Sequence, residues 1–269
     1  QPAARFIANT DSDLLHMLRG NREFSDDLFL VYIDSQDVAE LGGWPITRDY
    51  YGYLIYALKQ AGAKVIALDV LFPTENNRYP EFDQDLSHFA KTAGNVCTPF
   101  EFRHLSDQIS IDGATCLLGD NIQHPFEAFR THLLGTGFSN LSEETIARFG
   151  LLTAVWQDSI VSSFGLECAR QFLLGDSSRV HLKKNKIIIE NDSTKIRIPI
   201  DDKQRIRLNH IKRLNRIPSI SLVDLFQTIQ QNPDSLNIKG KLVFVGVTAP
   251  GAAPMKVTPL HSAFPATVL

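Results

Sequence analysis

Two aspartates stand where open α/β sheets place their chemistry. Asp34 closes the run Leu28-Phe29-Leu30-Val31-Tyr32-Ile33, and Asp69 closes Val65-Ile66-Ala67-Leu68. Each run is continuously apolar and rich in β-branched residues, the pattern of a strand buried on both faces of a parallel sheet. Such sheets bind ligands at the carboxyl ends of their strands. A pair of carboxylates there could hold a divalent cation or the amine of a ligand; the same residues could instead cap the turns that follow them or pair with an arginine. Arg48 is the natural partner: it follows Trp44-Pro45 and falls in the first turn of a helix, where a guanidinium can grip a carboxylate with two hydrogen bonds beside free backbone amides. Thr248 lies in Gly246-Val247-Thr248-Ala249-Pro250-Gly251, whose glycines permit a tight turn with exposed amides and hence a cleft wall. Asp34, Trp44, Arg48, Asp69 and Thr248 are therefore the candidate ligand-binding residues. No catalytic residue, metal set or cofactor is assigned.

These residues need elements to position them. After Asp34, Gly42-Gly43 and Pro45 mark a turn, Thr47 stands at a helix N-cap, and Tyr51, Leu54, Ile55 and Leu58 recur at three and four residues. A right-handed crossover through this helix would bring Asp34 and Asp69 to one edge of the sheet, on neighbouring strands. A polar loop from Pro73 to Pro80 leads to a helix carrying Phe82, Leu86, Phe89, Ala90 and Ala93 on one face, and Asn95–Phe100 reads as a third strand. Residues 103–132 lose periodicity and read as an irregular insertion. Gly135–Leu141 and Phe149–Val155 resemble strands, Ser162–Leu174 a helix, and residues 179–209 alternate as a small antiparallel lobe. Leu222–Ile229 is a further helix, and Leu242-Val243-Phe244-Val245 returns as a buried strand. The expected architecture is α/β: a mainly parallel central sheet with helices on both faces and a small antiparallel β lobe, in one domain across 1–269.

Four pieces in a fixed order, Tyr32-Ile33-Asp34, LGGWPITR from Leu41, AGAKVIALDVLF from Ala61, and GKLVFVGVTAPG from Gly240 followed by Thr258-Pro259-Leu260, resemble a type-two CHASE domain over nearly the whole chain. That family comprises extracytoplasmic sensor modules of bacterial adenylate cyclases, histidine kinases, diguanylate cyclases and protein kinases. The resemblance implies a signal-sensing, ligand-binding role on the periplasmic or cell-surface side of an inner-membrane protein, with a small molecule as partner. It also implies membrane helices flanking the module, a possible homodimer, and a short helix around residues 14–18 that emerges on the same side as the segment 264–269. Where the family has a second tryptophan and proline, this chain has Ile46 and Thr47.

Composition narrows the alternatives. With 269 residues, 43% of them hydrophobic, the chain can bury a sizeable core. Its net charge of -3, from 27 basic and 30 acidic residues, offers no footprint for nucleic acid. No apolar run approaches the roughly 20 residues of a membrane span, and no signal-peptide pattern opens the chain. Cys97, Cys116 and Cys168 form no CxxC pair and read as buried thiols, with a Cys97–Cys116 bridge as the alternative in an oxidising compartment. His88, His104, His124 and His132 match no zinc spacing. Gly240-Lys241 precedes its strand and lacks the phosphate-loop spacing. An enzyme would be a metal-dependent hydrolase using Asp34 and Asp69, but no nucleophile elbow or HExxH accompanies them. A passive dimerisation module is the remaining alternative.

Overall fold

In the computed structural model, the described residues are Asp13, 25–111, 114–141, 144–210, 217–232 and 235–268. The expected helix around residues 14–18 lies outside them. In chain order the first elements are β1 (Leu28–Ile33), α1 (Ser35–Glu40), α2 (Arg48–Gln60), β2 (Val65–Leu68) and α3 (Pro80–Ala93). They are followed by β3 (Val96–Ile111), β4 (Ala114–Gln123), α4 (Glu127–Arg130), β5 (Gly135–Phe138), β6 (Phe149–Leu151), β7 (Thr153–Trp156) and β8 (Ser159–Ser162). The last part holds α5 (Phe164–Leu174), β9 (Arg179–Lys183), β10 (Lys186–Glu190), β11 (Lys195–Pro199), β12 (Arg205–Arg207), β13 (Ser219–Ser221), α6 (Leu222–Gln231), β14 (Leu242–Val247), β15 (Met255–Lys256) and β16 (Phe264–Pro265).

The central sheet runs β13-β1-β14-β2-β3-β4-β7-β8, with β5 also paired to β3. Its first five strands are mutually parallel, as the buried apolar runs require. The expectation that β1 and β2 are neighbours is corrected: β14 lies between them, pairing Leu28–Ile33 with Leu242–Val247 on one side and Leu242–Val245 with Val65–Leu68 on the other. A crossover helix fixes handedness but not the number of strands it passes over, and the gap between β1 and β2 is filled from the far end of the chain.

Each strand divides its side chains between two faces. Val31 and Ile33, Ile66 and Leu68, and Val243 and Val245 meet the apolar stripes of α2, α3 and α6 in one core. Val65, Ala67, Cys97 and Leu242 face the other way and pack against Phe164, Cys168 and Phe172 of α5. Helices thus cover both faces. On α2, Tyr51, Leu54, Ile55 and Leu58 form the buried stripe, and Thr47 occupies the N-cap position.

The expected irregular insertion at 103–132 is instead largely a long antiparallel hairpin, β3 with β4, broken by a register shift between Ser106 and Gln108. Its polar residues obscure alternation because much of the hairpin is solvent-facing, and cross-strand pairing supplies the order that periodicity does not. The lobe is a three-stranded antiparallel sheet, β11-β10-β9, whose Leu182, Ile187 and Ile189 pack on Val155, Leu166 and Cys116. β12 leaves it to pair with β6.

Candidate functional site

Asp34 is a helix cap. Its carboxylate accepts hydrogen bonds from the backbone N–H groups of Gln36 (2.8 Å) and Asp37 (3.0 Å), while Asp37 Oδ2 accepts one from the Asp34 N–H (3.0 Å). The two carboxylates therefore close a reciprocal capping box on α1. Asp37 does more: only 2% exposed, it also accepts from the N–H groups of Leu222 (3.3 Å) and Val223 (3.0 Å) at the start of α6. Burial raises its pKa against the pull of those backbone donors. One acidic side chain thus joins the N-termini of two helices, where the helix dipole favours negative charge.

Arg48 turns to a different carboxylate from either expected one. Its guanidinium lies 5.2 Å from the ring centres of both Phe72 and Phe126, ion-pairs with Asp83, and donates to the Thr74 carbonyl (2.6 Å). Asp83 also accepts from the Asn76 N–H, so this cluster pins the loop after β2 to the starts of α2 and α3. Trp44 is 39% exposed and precedes a cis bond to Pro45. Thr248 sits at the end of β14; its N–H donates to the Ile33 carbonyl at 2.9 Å and its hydroxyl reaches the same oxygen at 3.4 Å. Asp34 and Thr248 therefore stand at adjacent strand ends, Arg48 is committed to Asp83, and Asp69 takes a different partner, Thr267.

Asp69 continues the alternation of β2. Val65 and Ala67 face α5, and the Asp69 side chain, two positions on, looks into a cavity of about 480 Å³ on that same side of the sheet. Leu28, Leu30, Leu242 and Phe244 form the floor, Phe164 and Cys168 of α5 one wall, and Phe149, Leu151 and Ile206 of the β6–β12 pair the other. The last turn of the described chain, Ala266–Val268, contributes Ala266 and Thr267. The Thr267 hydroxyl donates to Asp69 Oδ2. Gly246 makes this approach possible: a Cβ on it would lie 2.0 Å from Thr267 Oγ1. Gly246 is thus a mid-strand residue whose missing side chain admits another segment, not the turn residue its glycine-rich surroundings suggest. Burial pushes the Asp69 carboxyl up to about 6, with the Thr267 hydrogen bond opposing and the nearby Glu101 charge reinforcing.

A second, more polar cavity of about 450 Å³ lies between β5, β8 and the far side of α5. There Arg170 donates to Glu167 (2.6 Å) and to Ser178 (2.8 and 2.9 Å), a fully engaged ion pair that ties α5 to the turn before β9. Among the described residues, no group of three His, Cys, Asp or Glu side chains is placed to hold a metal ion.

Sequence reasoning passed over Asp37, Asp83 and Thr267. Asp37 was accessible through the Asp34-x-x-Asp37 spacing, which has capping-box form. Asp83 and Thr267 act on partners 35 and 198 residues away, and no local pattern encodes such pairings.

Comparison with known proteins gives one family match, the CHASE2 domain, over residues 5–269. No curated protein and no solved structure matches the chain.

Proposed function

This chain belongs to the CHASE2 domain family, an extracytoplasmic sensor family of signalling proteins, and on that premise we propose that it is the ligand-binding module of a membrane-anchored bacterial receptor. The attached output is a cyclase or kinase activity, and the module itself performs no chemistry. The observation that supports this reading is the cavity beside Asp69: its volume and apolar walls are those of a small-molecule site, which usually combines apolar lining with a few convergent polar groups. Asp34, Arg48 and Thr248 support the fold around it, capping α1, holding the loop after β2 and joining the ends of β1 and β14, and the exposed Trp44 stands in the turn before α2.

Ligand binding transmits a signal only if two conformations bind with different affinity. The cavity wall includes Ala266 and Thr267, so a ligand touches the sheet and the end of the described chain together. No described helix is long and apolar enough to cross a membrane, so on this proposal the anchors lie in segments beyond those described.

The test is a receptor in which the domain is joined through its native flanking segments to its output enzyme, assayed against a metabolite library. Activity that changes with a ligand, and no longer does so when the cavity is obstructed at its rim by Gly165→Phe, supports the proposal. Output indifferent to every compound and to the obstructed cavity would return the domain to a passive spacer.

A further inference from the structure

The cavity beside Asp69 is an open-sided pocket and not a packing gap, since interiors close up to leave few gaps larger than a water molecule. Its polar lining is almost entirely occupied. Ser163 Oγ accepts from the Leu166 N–H as the cap of α5, and the Asn140 amide is held by both the N–H and the carbonyl of Phe102. Asp69 is the exception: Oδ2 takes the Thr267 hydroxyl, and among the described residues no donor is assigned to Oδ1 and no cation is paired with the carboxylate. The charge that acts on it is Glu101, of the same sign. Lys256 also lines the cavity but holds a contact of its own and is not among the groups acting on Asp69.

A carboxylate accepts through both oxygens, and one held in apolar surroundings without a counter-charge is costly. From this arrangement we propose that the cavity binds a small molecule with an apolar body and a cationic amine head, the ammonium seated on Asp69 Oδ1 and the body lying along Leu30, Phe149, Phe164 and Leu242. The proposal rests on the sensing role given above and adds the ligand's chemical class. An ammonium supplies at once a donor to Oδ1 and a counter-charge to Asp69, neither of which another described residue provides, whereas an alcohol supplies the donor alone and a carboxylic acid neither at neutral pH. With its pKa near 6, Asp69 is still mainly ionised at pH 7 and attracts such a head. The ammonium and Thr267 then share one carboxylate, so the head group is felt directly by the C-terminal turn.

The probes are 1-aminoadamantane, 1-adamantanol and adamantane-1-carboxylate, which share one rigid apolar body and differ in the head. Their affinities for the intact domain are measured by calorimetry at pH 7, in the wild type, Asp69→Asn and Gly165→Phe. Gly165 lines the cavity on α5, is itself exposed, and has nothing within 4 Å of where its Cβ would stand, so its place on the helix admits the start of a large side chain at the cavity's rim. Circular dichroism confirms that each variant folds. The expected result is that the amine binds at least tenfold more tightly than the alcohol and the carboxylate most weakly. Asp69→Asn should bring amine and alcohol together, and Gly165→Phe should abolish binding of all three. Three heads bound alike, unchanged in Asp69→Asn, would overturn the amine assignment while leaving an apolar site in place. A wild-type domain that binds none of the three also overturns it, and the receptor assay then decides separately whether sensing itself stands.

Discussion

Arg48 and Asp83 form an ion pair between the first turns of α2 and α3, with side-chain exposures of 15% and 10%, and the guanidinium lies between the rings of Phe72 and Phe126. Removing one partner of a buried pair strands the other. Arg48→Ala or Asp83→Ala should therefore cost about 3–5 kcal/mol in urea denaturation. Arg48→Lys should recover little, because a lysine cannot reach Asp83 and the Thr74 carbonyl together or stack between two rings. A loss under about 1 kcal/mol in all three would make the cluster a surface-like pair.

The two capping aspartates should differ in cost. Asp34→Ala removes one cap, worth about 1 kcal/mol. Asp37→Ala leaves the N–H groups of Leu222 and Val223 without their acceptor inside the core, and each unsatisfied buried donor costs about 1–3 kcal/mol. Chemical denaturation of both variants should place Asp37→Ala well below Asp34→Ala; equal losses would mean the link between α1 and α6 is weak.

Asp69 should leave a signature in the pH dependence of stability. Its folded pKa, about 6, lies above the unfolded value, so between roughly pH 4 and 6 the folded state holds a proton that the unfolded state has released. The group's favourable contribution is complete below that window and lost as pH rises through it. Asp69→Asn stays neutral throughout and should gain stability over the wild type as pH rises from 4 to above 6, by up to about 3 kcal/mol. Urea midpoints measured from pH 4 to 8 check this; a constant difference across that range would show that Asp69 is not the titrating group.

Gly246 should tolerate no side chain while Thr267 keeps its place. Gly246→Ala puts a methyl 2.0 Å from Thr267 Oγ1 and 2.9 Å from Thr267 Cβ, so the C-terminal turn must move, at a cost of about 1–3 kcal/mol typical of overpacking. Trimming the partner with Thr267→Ala in the same chain should recover part of that loss, and a double-mutant cycle measures how much. Strictly additive losses would contradict the contact.

The thiols should pair as the packing dictates. Cys97 and Cys168 pack in one cluster on the α5 face of the sheet, with burial first and the neighbouring Cys97 thiol next raising the Cys168 thiol well above its ordinary range, while Cys116 belongs to the core beneath the β lobe. Cys97, Cys116 and Cys168 are all buried, and no disulfide joins them. They should react with a thiol reagent only on unfolding. A diamide-type oxidant, which takes up the two hydrogens released, should couple Cys97 to Cys168 in partly loosened protein. Peptide mapping that finds Cys97 joined to Cys116 instead would overturn that pairing.

Much of the architecture is legible in the sequence, because each central strand is a short run apolar on both faces and each covering helix carries a stripe at helical spacing. Leu28–Ile33, Val65–Leu68 and Leu242–Val247 are of the first kind, and Tyr51 to Leu58 is of the second. Strand order is not legible, since three runs of equal character can be arranged in several ways. The hairpin of β3 and β4 escapes for a related reason: its order resides in pairs such as His104 with Asp120 across the ladder, and neither strand alternates cleanly by itself. At the site, the sequence offers Asp34 as both a cap and a ligand, and the backbone donors beside it occupy its carboxylate as a cap. Asp69 looks the same in sequence, and its setting depends on a threonine and a glycine at the other end of the chain.

The place of β14 also governs when the domain can fold. β1 and β2 are made early, yet each borders β14, so two apolar edges stay unpaired until Leu242–Val247 has left the ribosome. Parallel pairings over such separations are slow to form, because the loop between them must close before any contact rewards it. A sheet whose five parallel strands close only when the central one, made after its four companions, arrives keeps the nascent chain open until then, with apolar edges exposed in the meantime.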